Sequence, residues 1–257
     1  MPIDARFDLA PEEALAFLEG KGLRASFAWQ DVWAAEHEAA FTVAKMADLD
    51  LLAEVKRAVQ SAIENGETLQ AFKNALQERM EAAGWWGVQE QLDPVTGEMR
   101  LVQLGSARRL QTIFRTNLSM AYAAGEWAQI EDTAEAAPYL MYDAVDDNLT
   151  REQHRAWDGI VLRWDDPWWK THRPPNGYNC RCSTIQMSQR DLKRVGKTGP
   201  DKAPPVQRRE WVNKRTGEVM QIPVGIDPGF DYNPGEGRVA ELRYALEGKR
   251  KAFEEGR

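Results

Sequence analysis

The sequence has little of what marks a secreted or membrane protein. It contains two cysteines in 257 residues, which excludes a disulfide framework. No apolar run approaches the roughly 20 residues that cross a bilayer. The acidic N-terminal residues also lack the apolar core of a signal peptide. We therefore expect a protein that is made in a cytosol and does not contact membranes.

Motifs for common enzyme chemistry are also scarce. The chain has three histidines, and it contains no G-x-S-x-G nucleophile elbow, no G-x-G-x-x-G fingerprint and no phosphate-binding P-loop. Nucleophilic catalysis and nucleotide binding therefore have little support. We expect that the protein is not an enzyme.

The charge of the chain is uneven. Hydrophobic residues make up 43% of the sequence, enough for a buried core, and the net charge of −7 disfavours general DNA binding. Residues 190–215 nevertheless contain nine Lys or Arg and only three acids. This basic stretch is either a solvated surface or an arm that contacts DNA or an acidic partner. The candidate contact residues are Arg190, Lys193, Arg194 and Lys197.

Hydrophobic periodicity predicts an α+β fold. Apolar residues at helical spacing predict helices over residues 11–20, 31–45, 48–65, 68–83 and 106–131. Asp31 is expected to cap the second of these helices, and Gly66 to end the third. Alternating runs around Pro-Gly-containing or Thr-Gly turns predict β-hairpins over 86–104 and 211–222, and further strands over 139–145 and 183–187. A capping box at 150–153 predicts a short helix. A charged helix is expected over 239–254.

These elements suggest three regions. Residues 1–105 form a mostly helical N-terminal region that ends in a β-hairpin. Residues 106–189 form a mixed α/β core around a loop rich in histidine, cysteine and tryptophan. Residues 190–257 comprise the basic linker, the second hairpin and the terminal helix.

The loop over residues 165–182 is the most informative segment. Its prolines fix the backbone, its Asn-Gly pair allows a tight turn, and its aromatic rings supply burial. We therefore expect an ordered loop without regular structure, with Tyr178 as one of three aromatic anchors. The residues assigned to hold it are Trp168, Trp169, Pro174, Pro175, Asn176, Gly177 and Asn179.

Two histidines and both cysteines fall between residues 154 and 182. His154, His172, Cys180 and Cys182 have the donor types of a tetrahedral zinc site, although the spacing is not that of a standard zinc finger. A structural zinc ion is one interpretation. Another is packing, with the cysteines as half-buried thiols and the histidines bonded to loop carbonyls. A strained disulfide within the Cys-x-Cys unit is a third. A metal-dependent hydrolase or transferase centred on this loop is the enzymatic alternative.

The same residues carry a resemblance to a known family. His154 and Gly159, then Asp166-Pro167-Trp168-Trp169, His172 and the run Pro174 to Cys182 resemble the phage Mu F-like minor head proteins, the head morphogenesis family of tailed phages. Arg115 and Thr116 match the family's Arg-Thr helix, although Asn117 stands where the family often has Glu. The resemblance extends over nearly the whole chain.

The resemblance implies a structural function. Members of the family are minor virion proteins that associate with the portal vertex and contribute to head assembly, and some are linked to packaged DNA. We therefore expect a virion head protein, assembled in the host cytoplasm, whose partners are the portal protein and other head proteins, with DNA as a further partner. Nucleic-acid binding through residues 190–215 is the remaining alternative.

Overall fold

The computed structural model describes residues 12–94 and 96–237. They form a mixed α+β structure, which confirms the predicted fold class. The chain packs into two compact units whose boundary lies between Gly125 and Glu126. The three regions predicted from the sequence follow composition and motif rather than packing, and that division stays a prediction.

The first unit contains most of the helices. Its elements, with the helix that leads out of it, are α1 (Glu12–Glu19), β1 (Gly22–Leu23), a 3-10 helix (Trp29–Asp31), α2 (Glu36–Ala39), β2 (Ala40–Phe41), α3 (Leu49–Asn65), α4 (Leu69–Ala82), β3 (Val88–Leu92), β4 (Met99–Gln103) and α5 (Ala107–Thr133). The boundary between the units falls inside α5.

The core of the first unit confirms the predicted apolar stripes. Leu52, Val55 and Val59 of α3 are fully buried among residues from α1, α4 and α5. The carboxylate of Asp48 accepts the N–H groups of residues 50 and 51 and caps α3. Gly66 ends the helix with a positive φ of 62°, which glycine adopts at little cost.

The helix predicted over residues 31–45 is wrong. The structure has the 3-10 helix, the four-residue α2 and then β2, which pairs in parallel with β1. Asp31 was expected to cap a following helix, but its carboxylate accepts the backbone N–H groups of Phe27 and Ala28, which precede it. Ala34 has a φ of 44° and interrupts the helical backbone.

The second unit is built around a small sheet. Its strands and helices after α5 are β5 (Tyr139–Asp143), α6 (Glu152–Trp157), β6 (Val161–Arg163), α7 (Trp169–His172), β7 (Ser183–Met187), α8 (Gln189–Arg194), β8 (Arg208–Val212) and β9 (Val219–Pro223). The sheet order is β6-β5-β7, and both pairings are antiparallel. It confirms the strands expected near 139–145 and 183–187.

Both predicted hairpins are present, because β3 pairs with β4 and β8 pairs with β9.

The predicted capping box at 150–153 is wrong: Arg151 occupies the N-cap position of α6 without a side-chain cap, and the Thr150 hydroxyl bonds the carbonyl of Val145. The helix expected over 239–254 lies outside the described residues. Within residues 12–94 and 96–237, no helix is both long enough and apolar enough to cross a membrane.

Candidate metal centre

Three of the four predicted ligands converge in the second unit. His154 lies on α6 and is only 2% exposed, and the two cysteines lie on the loop before β7 as free, half-buried thiols. The Nδ1 atom of His154 is 3.7 Å from Sγ of Cys180 and 3.5 Å from Sγ of Cys182. All three ligand atoms lie within 4.8 Å of one another.

The orientation of the His154 ring is fixed by its other nitrogen. Nε2 is 2.8 Å from the backbone carbonyl oxygen of Gly225. Because a carbonyl oxygen only accepts, Nε2 carries a hydrogen, and Nδ1 is the ring nitrogen that faces the two sulfur atoms. The ring also stacks on Trp157, with 5.4 Å between the centroids. With the hydrogen bond fixed at Nε2, Nδ1 is the nitrogen that is free to ligate a metal, which takes the place of any proton there.

These distances fit a tetrahedral metal site. With zinc–sulfur bonds of about 2.3 Å and zinc–nitrogen bonds of about 2.0–2.1 Å, two ligands at the tetrahedral angle lie about 3.6 Å apart. The two nitrogen–sulfur distances, 3.7 and 3.5 Å, lie close to that value. The group can therefore hold a metal ion with three protein ligands.

The two thiols differ in acidity because they face each other. The hydrogen bond from Cys180 lowers the pKa of Cys182 to about 4. The same hydrogen bond, together with burial, raises the pKa of Cys180 above its ordinary value. Burial raises the pKa of the neighbouring Tyr142 phenol, so its hydroxyl stays protonated. The pair thus presents one thiolate, which is the ligand form of cysteine.

His172, the fourth predicted ligand, is not part of this group. Its Nδ1 atom lies 2.7 Å from the Thr171 hydroxyl, and its ring stacks on Trp168 with 4.4 Å between the centroids. Burial lowers the pKa of His172 to about 4, so the ring is neutral. The structure therefore brings together three of the four predicted residues and places His172 in the neighbouring aromatic cluster.

The loop that carries the cysteines is held by buried residues. Trp168 and Trp169 are buried, as expected for anchors, but Tyr178 is 38% exposed and α7 gives the loop one helical turn that was not predicted. Pro174 and Pro175 are buried and joined by a cis peptide bond. Asn179 adopts a φ of 58°, a left-handed conformation that asparagine tolerates.

Asn176 and Gly177 tie this loop to its surroundings. The fully buried Asn176 accepts a 2.8 Å hydrogen bond from the Tyr142 hydroxyl through Oδ1 and donates to the carbonyl of Arg173 through Nδ2. Gly177 lies so close to Asp227 that a Cβ atom there would be 2.2 Å from its carboxylate oxygen. A larger residue at this position would displace the Asp227 carboxylate and the Arg151 guanidinium that pairs with it.

Sequence reasoning missed several residues that support the centre. Gly225 and Asp227 come from the segment after β9, and nothing in the sequence links them to His154. Arg173 is fully buried, and its guanidinium lies 3.1 Å from the Glu126 carboxylate and over the ring of Trp127. Burial lowers the pKa of Arg173 to about 10.

The candidate contact residues of the basic stretch lie on and just after α8. Arg190, Lys193 and Arg194 are exposed, and Lys197 is half-buried. Arg194 pairs with Asp191 at 3.0 Å, and Lys197 pairs with Asp201. The local structure thus partly neutralises two of the four cations and leaves Arg190 and Lys193 as the clearer candidates for an external contact.

Comparison with known proteins places this centre in a family context. Residues 53–185 match the family described as phage Mu protein F like protein, and this range includes the three ligands. The chain is 36% identical over 240 residues to capsid assembly protein F of Escherichia phage Mu, covering 88% of this chain and 54% of that protein. It is 34% identical over 220 residues to the Mu-like prophage FluMu F protein of Haemophilus influenzae, covering 80% of this chain and 52% of that protein.

The chain therefore spans about half the length of the curated relatives it matches. No solved structure matches it. The matched range and the identities along most of the chain lead to one conclusion: this chain belongs to the phage Mu protein F-like family.

Proposed function

We propose that this protein is a minor structural protein of the head of a tailed phage or prophage, and that it acts in head morphogenesis without catalysing a reaction. The observation that carries this proposal is the similarity of 88% of the chain to a capsid assembly protein. The protein would be assembled in the host cytoplasm and reside in the virion head. Its partners would be the portal protein and other head proteins.

The first hairpin supports a role in assembly. Strand register places Val88, Leu92, Met99 and Leu101 on one face of β3 and β4, together with Glu90 and Gln103, because directly paired residues share a face. Each of these four side chains is more than half exposed. Exposed apolar patches of this kind are typical of surfaces that are buried on association with another protein.

The assembly proposal predicts that the hairpin face contributes to the portal contact. When the protein is co-expressed with the portal protein of the same phage, the Leu92→Glu, Leu101→Glu double variant should reduce co-purification by roughly tenfold or more, since charges replace apolar contacts. Quantitative pull-down measures the effect. The matched control is the Gln89→Glu, Gln91→Glu variant, which adds the same charge to the opposite face.

Two results would contradict this proposal. Failure of the parent protein to associate with portal or any other head protein would remove its basis. Equal loss with the two double variants would mean that added charge, rather than the apolar face, disrupts the contact.

The basic stretch supports a second contact, with packaged DNA or an acidic portal surface. Arg190 and Lys193 lie on the short helix α8 and face solvent. If they contact phosphates, the Arg190→Glu, Lys193→Glu variant should reduce the slope of log K against log salt by about 2, since each phosphate contact contributes about 0.9. Fluorescence anisotropy of labelled duplex DNA at several salt concentrations measures this slope.

The control for that experiment lies in the first unit. Arg57 and Arg108 are exposed there, and their reversal to Glu changes the net charge by the same amount. We expect the control to keep the parent slope. An unchanged slope in the Arg190, Lys193 variant would make residues 190–210 a solvated linker.

We also propose that the metal held by His154, Cys180 and Cys182 is a structural zinc ion. Thiolate and imidazole are the donors that zinc prefers, and the ring of His154 is already oriented with Nδ1 toward the two sulfur atoms. A bound zinc ion would cross-link α6 to the loop before β7. The enzymatic alternative is a metal-dependent hydrolase or transferase, and turnover of a substrate by the zinc-loaded protein would favour it.

A further inference from the structure

The segment after β9 contacts the helix that carries the histidine ligand. The carbonyl oxygen of Gly225 bonds Nε2 of His154, the nitrogen opposite the ligating atom. Gly225 lies directly against α6, because a Cβ atom there would be 2.5 Å from Gln153 and 2.8 Å from Trp157. Its φ of 93° also requires glycine. We refer to residues 224–233 as the strap.

The strap also contacts the loop that carries the cysteine ligands. The backbone N–H of Asp227 donates to the carbonyl of Asn176 at 2.9 Å. The Asp227 carboxylate accepts hydrogen bonds from Arg151 at 2.8 Å and from the backbone N–H of Tyr178 at 3.0 Å. The ring of Phe230 packs edge-on against that of Tyr178, with 4.9 Å between the centroids. Each of the two ligand-bearing elements is therefore held by the same strap.

We propose that the strap is the outer shell of the metal site. Gly225 and Asp227 are positioning residues that increase the affinity for zinc, and bound zinc in turn holds the strap in place. This inference rests on the proposed structural zinc ion. The Gly225 carbonyl keeps a hydrogen of His154 on Nε2, and Asp227 holds the part of the loop that directly precedes Cys180. Binding linkage is reciprocal. The free energy by which the docked strap strengthens zinc binding is therefore the same as the free energy by which bound zinc strengthens the docking of the strap.

The first test compares zinc affinities. Competition with a chromophoric chelator should give one zinc ion per chain for both the parent and Asp227→Ala. The zinc affinity of the variant should be reduced 10–100-fold, which is the usual effect of losing an outer-shell partner. Asp165→Asn is the matched control, because Asp165 also pairs with an arginine, Arg163, but does not touch the strap. The control should keep the parent affinity.

The second test uses the parent protein and needs no variant to fold. Hydrogen exchange of the N–H groups of Asp227 and Phe230, both bonded within this arrangement, should become at least tenfold faster when EDTA removes zinc. The N–H groups of α3, in the first unit, should exchange at an unchanged rate.

The outcomes separate this inference from the zinc proposal. If the parent binds zinc but Asp227→Ala keeps its affinity, or if zinc removal leaves exchange in the strap unchanged, the inference is overturned and the zinc site stands. If the parent binds no zinc, the proposed site is overturned and this inference with it.

Discussion

Chelation of zinc is expected to lower the free energy of unfolding of the second unit by about 4 kcal/mol. The reference is the same protein kept at a free zinc concentration about 1,000-fold above the dissociation constant. The physical reason is that only the folded chain brings His154, Cys180 and Cys182 together, since the histidine is separated from the cysteines by more than 25 residues. Urea unfolding followed by tryptophan fluorescence measures the change, because Trp157, Trp168 and Trp169 are buried near the ligands.

Histidine variants provide the controls for this prediction. His154→Ala should lose the zinc dependence, whereas His37→Ala, which changes a histidine of the first unit, should keep it. His172→Asn should retain one zinc ion per chain because its ring lies outside the ligand group. Loss of zinc in His172→Asn would restore the four-ligand set that the sequence predicted. If a chelator leaves unfolding of the parent unchanged, packing alone holds the two thiols.

The sequence predicted well the elements whose signals are local. The stripe of α3 and its end at Gly66 are short-range features, and each has the expected role in the structure. The hairpins follow from turns flanked by alternating residues, which also need no distant partner. Agreement is best where one segment contains all the interactions that determine its conformation.

The errors occur where a polar side chain has two competing partners. Asp31 was expected to cap a following helix but bonds the N–H groups of Phe27 and Ala28 instead. Thr150 fits a capping box in sequence, yet its hydroxyl bonds the carbonyl of Val145. Side chains of this kind bond equally well to backbone before or after them, and the sequence alone does not decide between these bonds.

The candidate metal centre was only partly predictable for a related reason. Clustering of rare residue types identified His154, Cys180 and Cys182, because both cysteines and two of the three histidines lie within 29 residues. The same clustering included His172, whose ring turns toward Trp168 instead. The outer shell was not predictable, since Gly225 is 71 positions from His154 and its contribution is a backbone carbonyl that every residue has.

Replacing Trp169 with alanine is expected to lower the free energy of unfolding of the second unit by about 3–5 kcal/mol, the usual cost of deleting a fully buried large aromatic side chain. Trp169 is 1% exposed, its indole N–H donates a 2.9 Å hydrogen bond to the carbonyl of Arg163, and its ring packs edge-on against Trp168. The loop over 165–182 has one helical turn of its own, so it depends on such anchors more than a regular element does. Urea unfolding followed by circular dichroism measures the loss.

Two further variants separate burial from hydrogen bonding at this position. Trp169→Phe keeps most of the ring volume but removes the indole donor to the carbonyl of Arg163, which still accepts the N–H of Asp166, so we expect a loss of about 0.5–1.5 kcal/mol for this hydrogen bond. Tyr178→Ala removes a ring that is 38% exposed and packs on Phe230, so its cost should be within about 1 kcal/mol. The order of the three losses is the decisive result. If Tyr178→Ala costs as much as Trp169→Ala, the loop is held at its exposed end by the strap, and the buried tryptophans are not its main anchors.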